Sequence, residues 1–301
     1  MVPEITKSSR AGTSLPGLVI VNYGKNQLVE AASGDIYRCV ARRGLPQIVC
    51  GDKVEWQLTG ESAGVIETIL PRHSVLLRAN GSDKSRPLAT NIDQVIIEAA
   101  LEPALDYFLI DKYIVAADLA QAEPLIIINK SDLIRPEDRS RIESLISEYR
   151  SIGYTTLLTS ALENTGIEEF SNCLAGKTSI LVGQSGVGKS SLIKRLLPDR
   201  DIVTGRLSAA SGLGKHTTTS TTLYHLPHGG KLIDSPGVRD FHLGRIVDAE
   251  LGNGFREFRP WLGQCKFNDC RHLSEPGCAI NAAVAAGNIL KRRMESYRRL
   301  L

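Results

Sequence analysis

Gly183-Gln184-Ser185-Gly186-Val187-Gly188-Lys189-Ser190 reads G-x-x-x-x-G-K-S and follows directly on the apolar run Ser179-Ile180-Leu181-Val182. A strand feeding a glycine loop, with a helix predicted over Ser191 to Leu197, is the context in which this motif cradles phosphate. The glycines let the backbone curl until successive N–H groups point into one concavity, and the helix adds the positive end of its dipole. Lys189 would neutralise terminal phosphate charge and the Ser190 hydroxyl would ligate Mg²⁺. The expected phosphate subsite is therefore Gly183, Gln184, Ser185, Gly186, Val187, Gly188, Lys189, Ser190 and Ser191.

The companion motifs name the nucleotide. Leu125-Ile126-Ile127-Ile128 is a short buried-strand pattern ending in Asn129-Lys130-Ser131-Asp132, the N-K-x-D element that reads guanine. The two oxygens of Asp132 match the adjacent N1–H and exocyclic amine donors of guanine, whereas adenine presents an acceptor at N1. Lys130 would lay its stem along the purine and Asn129 would tie the loop together. Thr159-Ser160-Ala161 follows a strand over Tyr154 to Leu158, so Ser160 and Ala161 are expected to support the ring. Lys231-Leu232-Ile233-Asp234-Ser235-Pro236-Gly237 is a strand ending in D-x-P-G, with Asp234 expected in the Mg²⁺ shell and the Gly237 N–H at the γ-phosphate.

In chain order the guanine reader and ring support precede the phosphate loop, the reverse of the usual GTPase order. The domain is therefore predicted to be circularly permuted, which is tolerable where domain termini lie close together at the surface. Beyond it, Cys265, Cys270, His272 and Cys278 give C-x4-C-x-H-x5-C, the Cys₃His set of a closed tetrahedral zinc site. Disulfides are disfavoured because a GTP-using chain belongs in the reducing cytosol, and four protein ligands leave no open position for catalysis. Cys39, Cys50 and Cys173 are scattered and read as ordinary thiols.

Near the N-terminus, Leu18 to Val21, Asn26 to Ala31, Asp35 to Ala41, Lys53 to Leu58 and Ala63 to Ile69 are strand-like runs separated by glycine-containing turns. They suggest a small OB-like β-barrel. Arg38, Arg42, Arg43 and Lys53 could face nucleic acid, with Tyr23, Tyr37 and Trp56 the aromatic residues available for stacking. The expected domains are an RNA-binding barrel over 1–75, a central α/β permuted P-loop GTPase domain over 76–247, and a mostly helical zinc-binding domain with a basic C-terminal helix over 248–301. The net charge of +3 conceals an uneven distribution, since residues 248–301 carry 9 basic against 6 acidic side chains. There Lys291, Arg292, Arg293, Arg298 and Arg299 follow a helical run over Asn281 to Leu290, a footprint suited to a polyanion. No stretch approaches the roughly 18 apolar residues of a membrane span, and no signal peptide is evident, so a cytoplasmic protein without a membrane partner is expected. Nothing suggests a self-complementary stripe, and a monomer is the default.

The succession of OB-like barrel, N-K-S-D, G-Q-S-G-V-G-K-S-S, G-L-G-K-H-T-T-T, D-S-P-G-V and C-x4-C-x-H-x5-C closely resembles the ribosome small subunit-dependent GTPase A family over essentially the whole chain. The resemblance implies a GTPase that hydrolyses GTP to GDP and phosphate and acts in late maturation of the small ribosomal subunit. It further implies GTP/GDP, Mg²⁺ and one structural zinc as bound species, and the small subunit and its rRNA as partner. Val238 occupies the position where many GTPases place a water-orienting glutamine, and its side chain can neither donate nor accept. His216 is the best candidate for that role. One threonine of the same stretch would reach Mg²⁺, with Thr218 the choice. Slow intrinsic hydrolysis, acceleration on the small subunit, and release in the GDP state are the expected cycle.

Overall fold

The structure is a computed structural model describing residues 14–80, 82–211, 220–235 and 248–301. Its first strands, β1 (Leu15–Asn22), β2 (Asn26–Ala31), β3 (Ile36–Ala41), β4 (Lys53–Leu58) and β5 (Ala63–Ile69), pair in the order β1-β2-β3-β5-β4, and β4 closes back onto β1. The β3–β5 pairing is parallel and the others are antiparallel, so the runs read from sequence do close into an OB-like barrel. Alternation turns Val19, Val29, Cys39, Val54, Trp56 and Ile66 inward as a small separate core. Trp56 is fully buried there, and a Cβ on Gly64 would fall 2.5 Å from its ring. This corrects the expectation that Trp56 is available for stacking: it shares a strand face with Val54 and fills the barrel. Arg38, Arg42, Arg43 and Lys53 are exposed, although Arg42 is paired with Glu67.

A hairpin of β6 (Val75–Asn80) and β7 (Ser82–Thr90) forms its own two-stranded sheet. Asp52, fully buried, fastens it to the barrel, accepting from Val49 N at 2.8 Å, Arg72 Nε at 2.7 Å and Thr90 Oγ1 at 2.7 Å.

Next come β8 (Gln94–Ala100), α1 (Tyr107–Leu119), β9 (Glu123–Asn129), α2 (Pro136–Ile152), β10 (Thr155–Leu158), α3 (Ile167–Leu174), β11 (Thr178–Gly183), α4 (Lys189–Leu196), α5 (Arg200–Ser211), β12 (Thr222–His225) and β13 (Lys231–Asp234). The sheet order is β10-β9-β8-β11-β13-β12, parallel except for β12. Apolar runs such as Val95-Ile96-Ile97 and Leu125 to Ile128 suit strands covered by helices on both faces, and all four residues of the second run are fully buried. The edge strand β12 pairs with β1 through Val21 and Thr222, making barrel and α/β sheet one continuous set of eleven strands.

The C-terminal region contains α6 (Asp248–Leu251), a short 3-10 stretch at Arg256–Trp261, α7 (Ala279–Ala285) and α8 (Lys291–Leu300). The helix expected over Asn281 to Leu290 stops early because Gly287 adopts φ 81°, the left-handed turn that glycine tolerates. The basic residues begin a helix of their own. They are also only partly free for an external polyanion: Arg293 is fully buried and bonds Asp111 of α1 at 2.8 Å and Glu257 at 2.6 Å. Arg292 reaches Asp111 at 2.9 Å and Glu148 at 3.1 Å. Lys291, Arg298 and Arg299 remain exposed.

Candidate functional site

The carboxyl ends of β8, β9, β10, β11 and β13 converge on one edge of the sheet, the place where open α/β folds bind ligands. At the end of β11 the chain turns through Gly183 at φ 148° and Gly188 at φ 118° before α4 starts at Lys189. Both glycines are sterically required. A Cβ on Gly183 would lie 2.2 Å from the Glu98 carbonyl oxygen, and one on Gly188 would lie 2.3 Å from Asn129 Nδ2. Lys189 Nζ arches over the loop and donates to the carbonyls of Gly183 at 2.7 Å and Gln184 at 2.6 Å. Ser185, Gly186 and Ser190 are exposed at the mouth, whereas Val187 is fully buried and contributes its backbone.

Asn129 joins the loops at the ends of β9, β10 and β11. Its Nδ2 donates to Val187 O at 3.2 Å and to Glu98 Oε1 at 2.9 Å, while its Oδ1 accepts from Thr159 Oγ1 at 3.2 Å and Ala161 N at 3.4 Å. One buried amide thus holds the phosphate loop, the N-K-x-D loop and the ring-support loop in register. Lys130 takes φ 60° and donates to Glu102 O at 2.8 Å. Ser131 N bonds Thr159 O at 3.0 Å, and Ser160 Oγ donates to Asp132 Oδ1. A cavity of about 760 Å³ opens between Lys130, Asp132, Ala161, Gly188 and Ser191, the size range of small-molecule sites. Sequence reading missed Arg195, whose Nε donates to Ala161 O at 2.7 Å and pins the ring-support loop to α4. It also missed Glu98, which is 1% exposed with Oε2 unpartnered among the described residues. A single carboxylate inside an apolar strand was the available signal.

Asp234, at the end of β13, accepts from Arg200 at the start of α5. Burial raises its pKa above the ordinary value, with Arg200 and Lys189 opposing. The guanidinium of Arg200 also lies 5.6 Å from the centre of the Tyr224 ring. His216, Thr218 and Gly237 lie outside the described residues.

The four zinc-type ligands do come together. The donor atoms of Cys265, Cys270, His272 and Cys278 lie within 4.8 Å of one another, with both Cys265 Sγ and Cys278 Sγ 3.5 Å from His272 Nδ1 and the two sulfurs 3.9 Å apart. A tetrahedral zinc with ordinary Zn–S and Zn–N bonds requires edges of roughly 3.5–3.8 Å, which the spacings among Cys265, His272 and Cys278 approach. His272 reaches it from a left-handed backbone at φ 61°, and Cys278 caps α7, accepting from Asn281 N at 3.4 Å.

A parallel sheet whose carboxyl edge gathers a G-x-x-x-x-G-K-S loop, an N-K-x-D loop and the strand ending in Asp234, in rearranged chain order, defines a circularly permuted P-loop GTPase. Residues 69–244 match the model of the RsgA GTPase family. The chain belongs to that family and is a GTP hydrolase. The small ribosomal subunit biogenesis GTPase RsgA of Sodalis glossinidius is 46% identical over 295 residues, covering 96% of this chain and 86% of the relative. That of Haemophilus influenzae strain 86-028NP is 48% identical over 295 residues, covering 96% and 85%. The crystal structure of YjeQ from Thermotoga maritima superposes with a TM-score of 0.77 at 32% identity, over 96% of this chain and 97% of that one. YloQ, described as a circularly permuted GTPase, gives 0.76 at 27% identity over 97% and 96%. Among the described residues no helix is long and apolar enough to cross a membrane.

Proposed function

We propose that the protein binds GTP at the carboxyl edge of the α/β sheet and hydrolyses it while assisting late maturation of the small ribosomal subunit; its curated relatives are named small ribosomal subunit biogenesis GTPases. The observation that carries this reading is Asn129, a single side chain bonded to both the phosphate loop and the ring-support loop. Asp132 reads the base, Lys130, Ser131, Ser160 and Ala161 enclose it, and residues 183–191 hold the phosphates. Ser190, Asp234 and Thr218 would hold Mg²⁺, which when bound offsets the negative charge shared by the β- and γ-phosphates. Gly237 meets the γ-phosphate and His216 orients the attacking water.

Cys265, Cys270, His272 and Cys278 hold a structural zinc, since all four positions are filled by protein donors. Barrel, permuted G domain and zinc domain act in the cytoplasm as one monomeric chain whose partner is the small subunit and its rRNA. Docking on that subunit accelerates turnover, and release follows in the GDP state. The test is phosphate release from GTP with and without small subunits, together with subunit affinity in GDP and in a non-hydrolysable GTP analogue. Stimulated turnover with weaker binding in GDP is expected. Unstimulated turnover would remove the ribosome-coupled cycle, and equal affinity in the two states would remove the switch.

A further inference from the structure

Beneath the phosphate loop lies a carboxyl group that the nucleotide chemistry above does not use. Glu98 sits near the end of β8, in register with Gly183 on β11 and Ile127 on β9. It is 1% exposed. Oε1 accepts from Asn129 Nδ2 at 2.9 Å, and a Cβ on Gly188 would stand 3.1 Å from it, so the carboxyl lies directly under the loop that curls around phosphate. Oε2 has no hydrogen-bond partner among the described residues. A buried carboxylate left with an unpaired oxygen is costly, and the neutral acid is the cheaper form.

The ammonium groups acting on it are Lys189 from α4 and Lys130 from the loop after β9, and Asp106 and Tyr113 line the small pocket beside it. Both ammonium groups favour ionised Glu98, and both are committed to nucleotide in the reading given above. Bound GDP or GTP therefore brings phosphate charge close to Glu98 and draws the Lys189 charge toward the phosphates. Each change favours the protonated carboxyl.

We propose that Glu98 is a proton-linked positioning residue: the nucleotide site closes on guanine nucleotide with Glu98 neutral, so binding takes up a proton from solvent at this side chain. The only bond formed is the carboxyl O–H, with the proton supplied by buffer. Burial, opposed by Asn129, Lys189 and Lys130, moves the group up to about 7, which places the linkage near neutral pH. Nucleotide affinity should then fall as pH rises above 7, by up to about tenfold per pH unit for a single linked proton.

The inference rests on the nucleotide reading, and the experiment separates the two. GDP binding to the full chain is measured by calorimetry from pH 6 to 8.5, in buffers of differing ionisation enthalpy, for wild type, Glu98→Gln and Glu98→Ala. Wild type should take up well over a tenth of a proton per GDP near pH 8 and lose affinity from about pH 7 upward. Glu98→Gln keeps the acceptor for Asn129 and should bind with neither the uptake nor the slope. Glu98→Ala should also lose the slope while binding more weakly at every pH, because the Asn129 contact is gone. A slope and uptake that persist unchanged in Glu98→Gln, or their absence from wild type, would overturn the inference. No GDP binding by wild type at pH 6 would instead sink the nucleotide reading, and the inference with it.

Discussion

Arg200 and Asp234 form an ion pair across the mouth of the phosphate site, with the guanidinium of α5 on the carboxylate that ends β13. The Arg200 guanidinium also lies over the Tyr224 ring. A guanidinium and a divalent cation would compete for the same oxygens. Arg200→Ala should therefore lower the Mg²⁺ concentration needed for half-maximal GTP binding several-fold and leave binding in EDTA nearly unchanged. Overlapping Mg²⁺ titrations of mutant and wild type would show that the pair does not compete with the ion.

Guanine recognition is proposed for Asp132. Asp132→Asn removes a charge-assisted pair with the base and should weaken GTP binding by roughly 1.5–3 kcal/mol without unfolding the chain. Parallel titrations with GTP and ATP check it. Retention of full preference for GTP would show that the base is read elsewhere.

The metal cluster predicts a local rather than global loss. Because the ligands are little preorganised in an unfolded loop, the ion's binding free energy is folding free energy, of order 10–16 kcal/mol for structural zinc. Cys270→Ser should unfold the chain around 265–278 while guanine nucleotide binding survives. Metal content, near-ultraviolet dichroism and nucleotide titration of the same samples make the comparison, and gently purified protein without zinc would refute the assignment.

Asp111 of α1 and Arg293 of α8 make a fully buried pair at 2.8 Å, in which Asp111 also accepts from Ser296 at 2.6 Å and Tyr149 at 2.8 Å. Burial alone would raise the Asp111 pKa, yet Arg293 and Arg292 hold it below the ordinary value. Removing either partner leaves the other with one remaining counter-charge, Arg292 for Asp111 and Glu257 for Arg293, at a cost of up to about 3–5 kcal/mol. Arg293→Met and Asp111→Ala should each destabilise by about that much, and the double mutant by much less than the sum. Urea unfolding of the three variants tests this, and additive losses would contradict it.

Glu98 predicts the pH dependence of stability in the nucleotide-free protein. Its folded pKa of about 7 lies above the ordinary 4.5. The stability it contributes is therefore fully present below the ordinary value and lost as pH rises through 7. Glu98→Gln should be more stable than wild type at pH 8, by about 3 kcal/mol at most, and close to it at pH 4.5. Urea midpoints at the two pH values provide the check.

The sequence by itself determined the parts that are local in the chain. The phosphate loop, N-K-x-D and D-x-P-G are each a few consecutive residues at the end of an apolar run, and the Cys₃His spacing is closed within one loop. The order of these motifs revealed the permutation, because order is a property of the chain. The barrel strands were legible as well, since the apolar alternation of Lys53 to Leu58 and its neighbours repeats with the period of a strand. Only the tertiary structure decided what each side chain faces. A lone Glu98 in an apolar strand looks like a break in pattern until β11 and β9 pack beside it and set its carboxyl under Gly188. Arg292 and Arg293 carry the same formal charge as Arg298 and Arg299, yet folding α8 against α1 buries Arg293 and half-buries Arg292 on Asp111 and leaves the second pair at the surface. Trp56 read as a stacking surface and became the core of the barrel. Burial and pairing of this kind depend on contacts between residues far apart in the chain, such as the Arg293–Asp111 bond spanning 182 positions, and no local pattern encodes them.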